Sequence, residues 1–175
     1  DMIEKHPDEN WDWGCIERNP NLTVDIIKKY SDKPWNWFGI SKNSSFTWDI
    51  IKAHPDIPWN WATSENQNIT MNIIENNFDN KKLWCWDSIS RNPNLTMDFI
   101  EKHLDKLNWC YISKNPNITM DMIEAHPDKP WNWNAISFNT NITMDIIENN
   151  LDKPWNWYYI SDNPNLTMDM IEKHP

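Results

Sequence analysis

Apolar and polar positions along the chain follow a pattern that returns about every 24 residues. Each period contains a Thr, a short run with apolar residues three and four apart, an Asp, a Trp-x-Trp motif and a turn sequence based on Asn-Pro-Asn. Apolar residues at this spacing predict an amphipathic α-helix, and repetition at a fixed period predicts a stacked repeat protein. The repeats are 1–24, 25–48, 49–71, 72–97, 98–120, 121–144 and 145–168, followed by a partial repeat at 169–175.

Both ends of the chain fall inside a repeat, and neither end shows a polar capping repeat. Solenoid proteins normally need such caps for solubility. We therefore expect residues 1–175 to form a single repeat array that is a fragment of a longer one.

The first helix of each repeat is predicted to begin after a Thr. Thr is a favourable N-cap residue, and an Asp two residues later suits the positive end of the helix dipole. The Thr residues are Thr23, Thr47, Thr70, Thr96, Thr119, Thr143 and Thr167. The Leu or Ile before the Thr is expected to face the core, as is one Ile in each helix: Ile3, Ile27, Ile51, Ile74, Ile100, Ile123, Ile147 and Ile171.

A second short helix is predicted to begin at another recurring Asp, because Asp caps helices and the Pro that usually follows suits the first turn. These residues are Asp8, Asp32, Asp56, Asp79, Asp105, Asp128 and Asp152. Trp13 and Ile16 are three apart and share a helix face, whereas Trp11 and Trp13 are two apart and do not. We therefore expect the second Trp of each motif to point inward, and the first to pack sideways or lie partly exposed.

Helices of about two turns are unstable in isolation, so the repeats must stack on one another. The expected fold is all-α: an α-solenoid of helix–turn–helix repeats, each combining an α-helix with a short α- or 3₁₀-helix. One Asn recurs in the turn of every repeat, and its side chain is expected to satisfy backbone groups there. This series is Asn19, Asn43, Asn66, Asn92, Asn115, Asn139 and Asn163.

Composition excludes several classes of function. Nucleic-acid affinity depends mainly on Lys and Arg, so a net charge of −10 argues against a nucleic-acid partner. Only two Gly are present, too few for the phosphate-binding loops of nucleotide enzymes. No apolar run approaches the roughly 20 residues that span a membrane, and no signal peptide is visible. The 14 Trp are the most unusual feature, and 13 of them belong to the repeated motif.

No catalytic constellation stands apart from the repeat, so we predict that the protein is not an enzyme and binds no metal or cofactor. The five His occupy one repeat position: His6, His54, His103, His126 and His174. Helix packing would place His of neighbouring repeats about 10 Å apart, whereas zinc needs bonds of about 2.0–2.1 Å. We interpret these His as helix C-terminal residues that interact with the helix dipole.

The order D-x-x-W-x-W-x-x-I-S-x-N-P-N-x-T resembles the bacterial leucine-rich variant repeat, whose N-P-x-T turn matches residues 92–96. That family pairs an α-helix with a 3₁₀-helix, but it has Val-Arg where this chain has Trp-Asn-Trp. The longer string N-P-N-I-T-M-D-I-I-E-x-H-P-D-K-P-W-N-W is similar to tandem-repeat proteins of Mimivirus-type giant DNA viruses. The resemblance covers the whole chain, brings no catalytic residues and implies a location in the cytoplasm of an infected host cell or in the virion.

Side chains that vary on a constant repeat frame are typical partner-binding positions of solenoid proteins. Here they follow the second Trp and the Ser of each repeat, and the candidate partner-binding residues are Phe38, Lys42, Arg91, Tyr111, Lys114, Phe138, Tyr158 and Tyr159. An unconstrained surface would vary in the same way, and both interpretations stay open. The predicted function is a non-enzymatic scaffold for protein–protein interaction. The alternatives are a structural unit that assembles into fibres or virions, and a glycan-binding module that uses exposed first-position Trp.

Overall fold

The computed structural model describes residues 2–6 and 8–173, and all regular elements within them are helical. The helices that follow the Thr positions, called the Thr helices, alternate with helices that start at the second Trp of each motif, called the Trp helices. The Thr helices are α1 (Met2–Lys5), α3 (Val24–Lys29), α5 (Trp48–Ala53), α6 (Met71–Glu75), α8 (Met97–Lys102), α10 (Met120–Ala125), α12 (Met144–Asn149) and α14 (Met168–Lys173).

The Trp helices are α2 (Trp13–Ile16), α4 (Trp37–Lys42), α7 (Trp86–Ser90), α9 (Trp109–Lys114), α11 (Trp133–Ser137) and α13 (Trp157–Ile160), together with the 3₁₀ helix Trp61–Glu65. This regular alternation confirms the all-α repeat fold that the sequence predicts. The chain forms two compact halves, Asp1–Ser88 and Ile89–Pro175, which are described separately below.

The Thr residues cap their helices as predicted. The backbone N–H of Ile26 donates to Oγ1 of Thr23 at 3.3 Å, and the same bond recurs at Thr70, Thr96, Thr119, Thr143 and Thr167. Thr47 is the exception and makes no side-chain cap bond. Each bond satisfies one backbone donor that a helix N-terminus would otherwise leave unpaired.

The predicted core is confirmed at most positions. Buried Ile residues of the Thr helices are Ile27, Ile51 and Ile74 in the first half and Ile100, Ile123 and Ile147 in the second. Ile3 is only half-buried. The prediction for Ile171 is wrong: this side chain is exposed, and the neighbouring Met170 takes the core position. Within the described residues no element follows α14 that could cover Ile171.

The Trp helices do not begin at the recurring Asp, and that prediction is wrong. Asp32 and its equivalents lie in turns, and the helix starts later, at the second Trp. The N-cap is the residue between the two Trp: the Asn36 side chain accepts from the N–H of Phe38 at 3.1 Å. Asp12, Asn60, Asn108, Asn132 and Asn156 act in the same way. A Pro at the first helical position must directly follow its cap, and here another residue separates Asp32 from Pro34.

The first Trp of the motif is buried in three repeats, as Trp35, Trp59 and Trp155, and no second Trp of the described repeats is buried, contrary to the prediction that the second points inward. Trp59 is 3% exposed, whereas Trp61 is 45% exposed. The indole Nε1 of Trp59 donates to the backbone carbonyl of His54 at 2.8 Å, at the end of the preceding helix. The first Trp donates to a carbonyl in the corresponding place in five other repeats, through Trp11, Trp35, Trp84, Trp131 and Trp155. The prediction failed because it placed both Trp in one helix.

Leu107 replaces the first Trp in one repeat and lacks an indole donor. This repeat has one residue fewer between its His and the motif than the repeat that contains His54 and Trp59. The backbone N–H of Leu107 thereby reaches the carbonyl of His103 at 3.3 Å. The shorter connection supplies the helix-end hydrogen bond that the indole supplies elsewhere.

The predicted Asn ladder is confirmed. Nδ2 of Asn139 donates to the carbonyls of Ser113 and Asn115 in the preceding repeat, both at 3.0 Å. Its Oδ1 accepts from the N–H of Asn141 in its own turn at 2.9 Å. Equivalent bonds tie other repeats together through Asn43, Asn66, Asn115 and Asn163. One buried amide thus joins consecutive repeats and closes its own turn.

A Ser in the Trp helix makes a second connection between repeats. Oγ of Ser113 accepts from the N–H of Asn132 in the next repeat at 2.9 Å. At the start of the first half, Glu17 occupies the Ser position, and its Oε2 accepts from the N–H of Asn36 at 3.1 Å. Glu17 is only 3% exposed, and a Cβ placed on Gly39 would lie 2.7 Å from its Cδ. Gly39 therefore provides the space that the larger side chain needs.

Candidate interaction surface

The Trp helices of the second half lie side by side, with α9 against α11 and α11 against α13. Their inward positions are filled by a buried Ile and a buried Ser in α9 and α11. The residues directly after the second Trp and after the Ser are exposed or half-buried, whereas the second position after the Trp holds half-buried Tyr111, buried Ala135 and exposed Tyr159. We call this surface the Trp-helix face of the second half, and it contains the candidate residues Arg91, Tyr111, Lys114, Phe138, Tyr158 and Tyr159.

Cations cover aromatic rings between successive repeats on this face. The guanidinium carbon of Arg91 lies 3.5 Å from the ring centroid of Tyr111. Nζ of Lys114, at the end of α9, lies 4.1 Å from the ring centroid of Phe138, the C-cap residue of α11. Such pairs contribute about 0.5–1 kcal/mol at exposed sites. Each pair joins a cation of one repeat to an aromatic ring of the next.

Two tyrosines form a third side-chain pair, on α13. The rings of Tyr158 and Tyr159 meet edge to face, with centroids 5.3 Å apart. Tyr158 is 80% exposed, and Tyr159 is also exposed. Tyr side chains give large rigid contact areas with a polar tip, which suits a protein interface.

Charge is distributed unevenly in the second half. The segments 97–106, 120–129, 144–153 and 168–173, which contain the Thr helices, carry 11 acidic and five basic residues, a balance of −6. The remaining segments, which contain the Trp helices, carry Arg91 and Lys114 against the single acid Asp162, a balance of +1. Within the second half, the Trp-helix face is therefore less acidic than the Thr-helix segments.

The first half carries different chemistry at the equivalent positions. Phe38 packs edge-on against Trp61, with ring centroids 5.2 Å apart. Nζ of Lys42 lies 2.8 Å from Oε2 of Glu65, and Oε1 of Glu65 accepts from the hydroxyl of Ser88 at 2.9 Å. Lys42 is thus engaged by a buried carboxylate, in contrast to Lys114, which lies on a ring.

The structure pairs six of the eight sequence candidates with one another. Within the second half it brings together Arg91 with Tyr111, Lys114 with Phe138, and Tyr158 with Tyr159. Phe38 and Lys42 contact residues that were not predicted, namely Trp61 and Glu65. The signal for Glu65 was available, since it is an acid at a position that is basic in the four repeats with Arg18, Lys42, Arg91 and Lys114.

The His series occupies helix C-termini as interpreted: His54, His103 and His126 are the C-cap residues of α5, α8 and α10. His174 lies outside the described residues. In the part of the chain that the structure describes, no group of three or more His, Cys, Asp and Glu could hold a metal ion.

The Cys15 thiol donates to the Asp12 carboxylate at 3.4 Å, and this bond raises the pKa of Cys15. Cys15 is thereby held in its less nucleophilic protonated form.

No helix in residues 2–6 and 8–173 has the length and apolar character needed to cross a membrane. The protein was compared with protein-family models, with curated proteins and with solved structures. No family model, no curated protein and no solved structure matches the chain.

Proposed function

We propose that the chain is a non-enzymatic repeat scaffold that binds a protein partner through the Trp-helix face of the second half. The observation that carries the proposal is the set of three side-chain pairs, Arg91–Tyr111, Lys114–Phe138 and Tyr158–Tyr159, on the Trp helices of the second half. Aromatic residues and Arg dominate the binding energy of protein interfaces. Core packing does not require these side chains, because the buried positions of α9, α11 and α13 are filled by Ile112, Ile136 and Ile160.

The uneven charge favours a partner with an acidic contact surface. Such a partner would be repelled by the Thr-helix segments and accepted by the Trp-helix face, so charge would select its orientation. Arg91 and Lys114 stand on the face with the aromatic rings, and they would supply the complementary charges. Tyr158 and Tyr159 on α13 would supply the apolar contact with the partner.

The experiment is a quantitative affinity capture from the cells that express the gene, using the full chain as bait. The double variant Lys114→Glu/Tyr159→Ser changes the face. Lys153→Glu, at a half-buried position in the turn after a Thr helix, makes a charge change of the same size elsewhere. A partner that the wild type and Lys153→Glu retain, and that the face variant loses about tenfold, would support the proposal.

Identical partners for all three baits would contradict the proposal. Recovery of the chain itself as the sole specific protein would also contradict it and would favour the assembly alternative. Light scattering on the purified chain then decides that alternative, because an assembling protein gains mass with concentration and a monomeric scaffold does not.

A glycan-binding function would need the second Trp of the motif. As an alternative function, the sequence pattern predicts sugar binding by the first Trp. That Trp is instead half-buried or buried, and it donates its indole N–H to the backbone. Trp61 instead exposes nearly half of its surface. A shift of tryptophan fluorescence with a sugar panel, abolished by Trp61→Leu, would establish this second function, and no shift with any sugar would exclude it.

A further inference from the structure

The first half contains a groove that combines consensus residues, such as Ile51 and Trp59, with several residues that depart from the repeat pattern. Trp48 stands where the other repeats have Val or Met, and Ile57 stands where they have Lys, Glu or Asn. Lys52 stands where five of the later repeats have Glu. Residues 78–83 include two more residues than the equivalent connection between His54 and Trp59. These departures lie apart in sequence, but the fold brings them together around one opening.

We call this opening the Trp48 groove, and its volume is about 320 Å³. Its floor is apolar and buried, and it consists of Ile51, Ile57, Trp59 and Leu83. The indole of Trp48 forms a wall and packs against Trp84, with ring centroids 5.7 Å apart. A Trp48 side chain that only filled the space left by the longer connection at residues 78–83 would leave no groove. The groove remains open beside its indole.

The rim of the groove is polar and carries two lysines. Lys52 and Lys82 are both exposed lining residues, and Asn77 and Asn80 lie beside them. Nζ of Lys52 lies 5.9 Å from the ring centroid of Trp48 and 3.1 Å from Oδ1 of Asp49. Lys82 adds a second cation from the inserted segment. The replacement of Glu by Lys at position 52 makes this rim more positive than the same place in later repeats.

An indole wall, an apolar floor and a rim of cations and amides fit one chemical class of ligand. A flat aromatic ring would contact the wall and floor, and an anionic group on that ring would interact with the lysines. The volume lies near the lower end of the roughly 300–1,000 Å³ range of small-molecule sites, so the ligand would be small. We propose that the Trp48 groove binds a small planar aromatic anion. This site is separate from the Trp-helix face and does not depend on the proposed scaffold function.

The test is isothermal titration of the full chain with naphthalene-2-sulfonate, with the uncharged naphthalene-2-sulfonamide as the matched ligand. We expect saturable binding of one sulfonate per chain and at least about fivefold weaker binding of the sulfonamide, because the latter lacks the charge. Trp48→Met restores the residue found in five other repeats, and Lys52→Glu restores the residue found in six others. Each should weaken sulfonate binding about fivefold or more.

Two further variants keep the test decisive. Lys82→Glu changes an exposed residue of the inserted segment and should also weaken binding, even if Trp48→Met fails to fold. Lys5→Glu changes an exposed residue of α1 that does not line the groove, and it should bind like the wild type. The proposal is overturned by absence of saturable binding, by several equivalent sites, by equal binding of the two ligands, or by normal binding to both Lys52→Glu and Lys82→Glu.

Discussion

The two halves of the chain use the same frame but differ in what they attach to it. In the second half the Ser of the Trp helix joins consecutive repeats, and cations such as Lys114 lie on aromatic rings. In the first half Ser41 makes the same connection to Asn60. A carboxylate, however, enters the Ser position once, as Glu17 beside Gly39, and the cation position once, as Glu65 beside Lys42. Each buried carboxylate is accompanied by a compensating feature, either a gap or a cation. The frame therefore tolerates a large chemical change at these two buried positions when a residue of the neighbouring repeat changes with it.

The largest expected loss of stability comes from changing the Asn ladder, which both halves share. Asn66→Asp and Asn139→Asp each replace two amide donors by carboxylate oxygens that face buried carbonyls. Each should lower the free energy of unfolding by about 3 kcal/mol, measured by urea denaturation. Asn10→Asp, at an exposed position, is the control for the added charge and should change little. A large loss in only one half would show that the ladder is not common to both.

The next prediction concerns the gap in the first half. Gly39→Ala places a Cβ against Glu17, and this overpacking should cost about 1–3 kcal/mol of stability. The second half already has Ala135 at the equivalent position, opposite Ser113. Adding Glu17→Ser to Gly39→Ala should therefore recover most of the loss. The four proteins form a double-mutant cycle, and additive effects of the two substitutions would rule out the proposed pairing.

A smaller difference is expected between the two lysines. Lys42→Met leaves the Glu65 side chain, which is 7% exposed, without its 2.8 Å ion pair, whereas Lys114→Met removes only a cation from a ring. The first variant should lose about 1–2 kcal/mol and the second less than about 1 kcal/mol. Chemical denaturation of both measures the difference. Equal losses of unfolding free energy in the two variants would mean that the ion pair with Glu65 is no stronger than the contact of Lys114 with a ring.

The smallest effect is a dependence on pH that both halves should share. The pKa of Asp56 is lowered by the hydrogen bond from Lys28, and that of Asp128 by the bond from Lys129. A carboxyl group with a lowered folded-state pKa stabilises the fold above its ordinary pKa of about 3.9, and this stabilisation is lost as the pH falls. Asp56→Asn and Asp128→Asn should lower the melting temperature slightly at neutral pH. The difference should fade at about pH 3, and a constant difference would exclude this cause.

The repeat frame could be predicted where one residue has one local role. A Thr that precedes an amphipathic run has a single favourable role as N-cap, and an Asn in every turn must satisfy backbone groups there. The Ile positions of the core followed from helical spacing. These features depend on contacts within a few residues or on strict repetition, so the sequence carries them directly.

The orientation of the Trp-x-Trp motif could not be predicted in this way. Helical spacing applies only inside a helix, and the sequence does not show that the helix begins at the second Trp. The first Trp is placed by a long-range feature, the hydrogen bond from its indole to the end of the preceding helix. The same limit applies to Glu17 and Gly39, since 22 positions separate two residues whose fit becomes visible only when the repeats are stacked.

The candidate surface was predicted residue by residue but not as an arrangement. Variation between repeats identified Lys114, Phe138, Tyr158 and Tyr159, but which rings carry cations depends on the stacking of neighbouring helices. The Trp48 groove was not predicted at all. Trp48 was visible as the one Trp outside the motif, and the longer connection before Trp84 was visible as a change in repeat length. Only the fold shows that these two departures meet.

The central claim is that the first Trp of the motif builds the frame by donating its indole N–H to the end of the preceding helix, whereas the second Trp is buried in none of the described repeats and is exposed as Trp61 and Trp157. Hydrogen exchange of the indole N–H groups, followed by NMR on protein with ¹⁵N-labelled Trp, tests this most directly. Trp59 and Trp155 donate to backbone carbonyls and are buried, so their indole protons should exchange slowly. The indole proton of the exposed Trp61 should exchange at a rate near that of an unprotected indole. Slow exchange at Trp61 together with fast exchange at Trp59 or Trp155 would contradict the account.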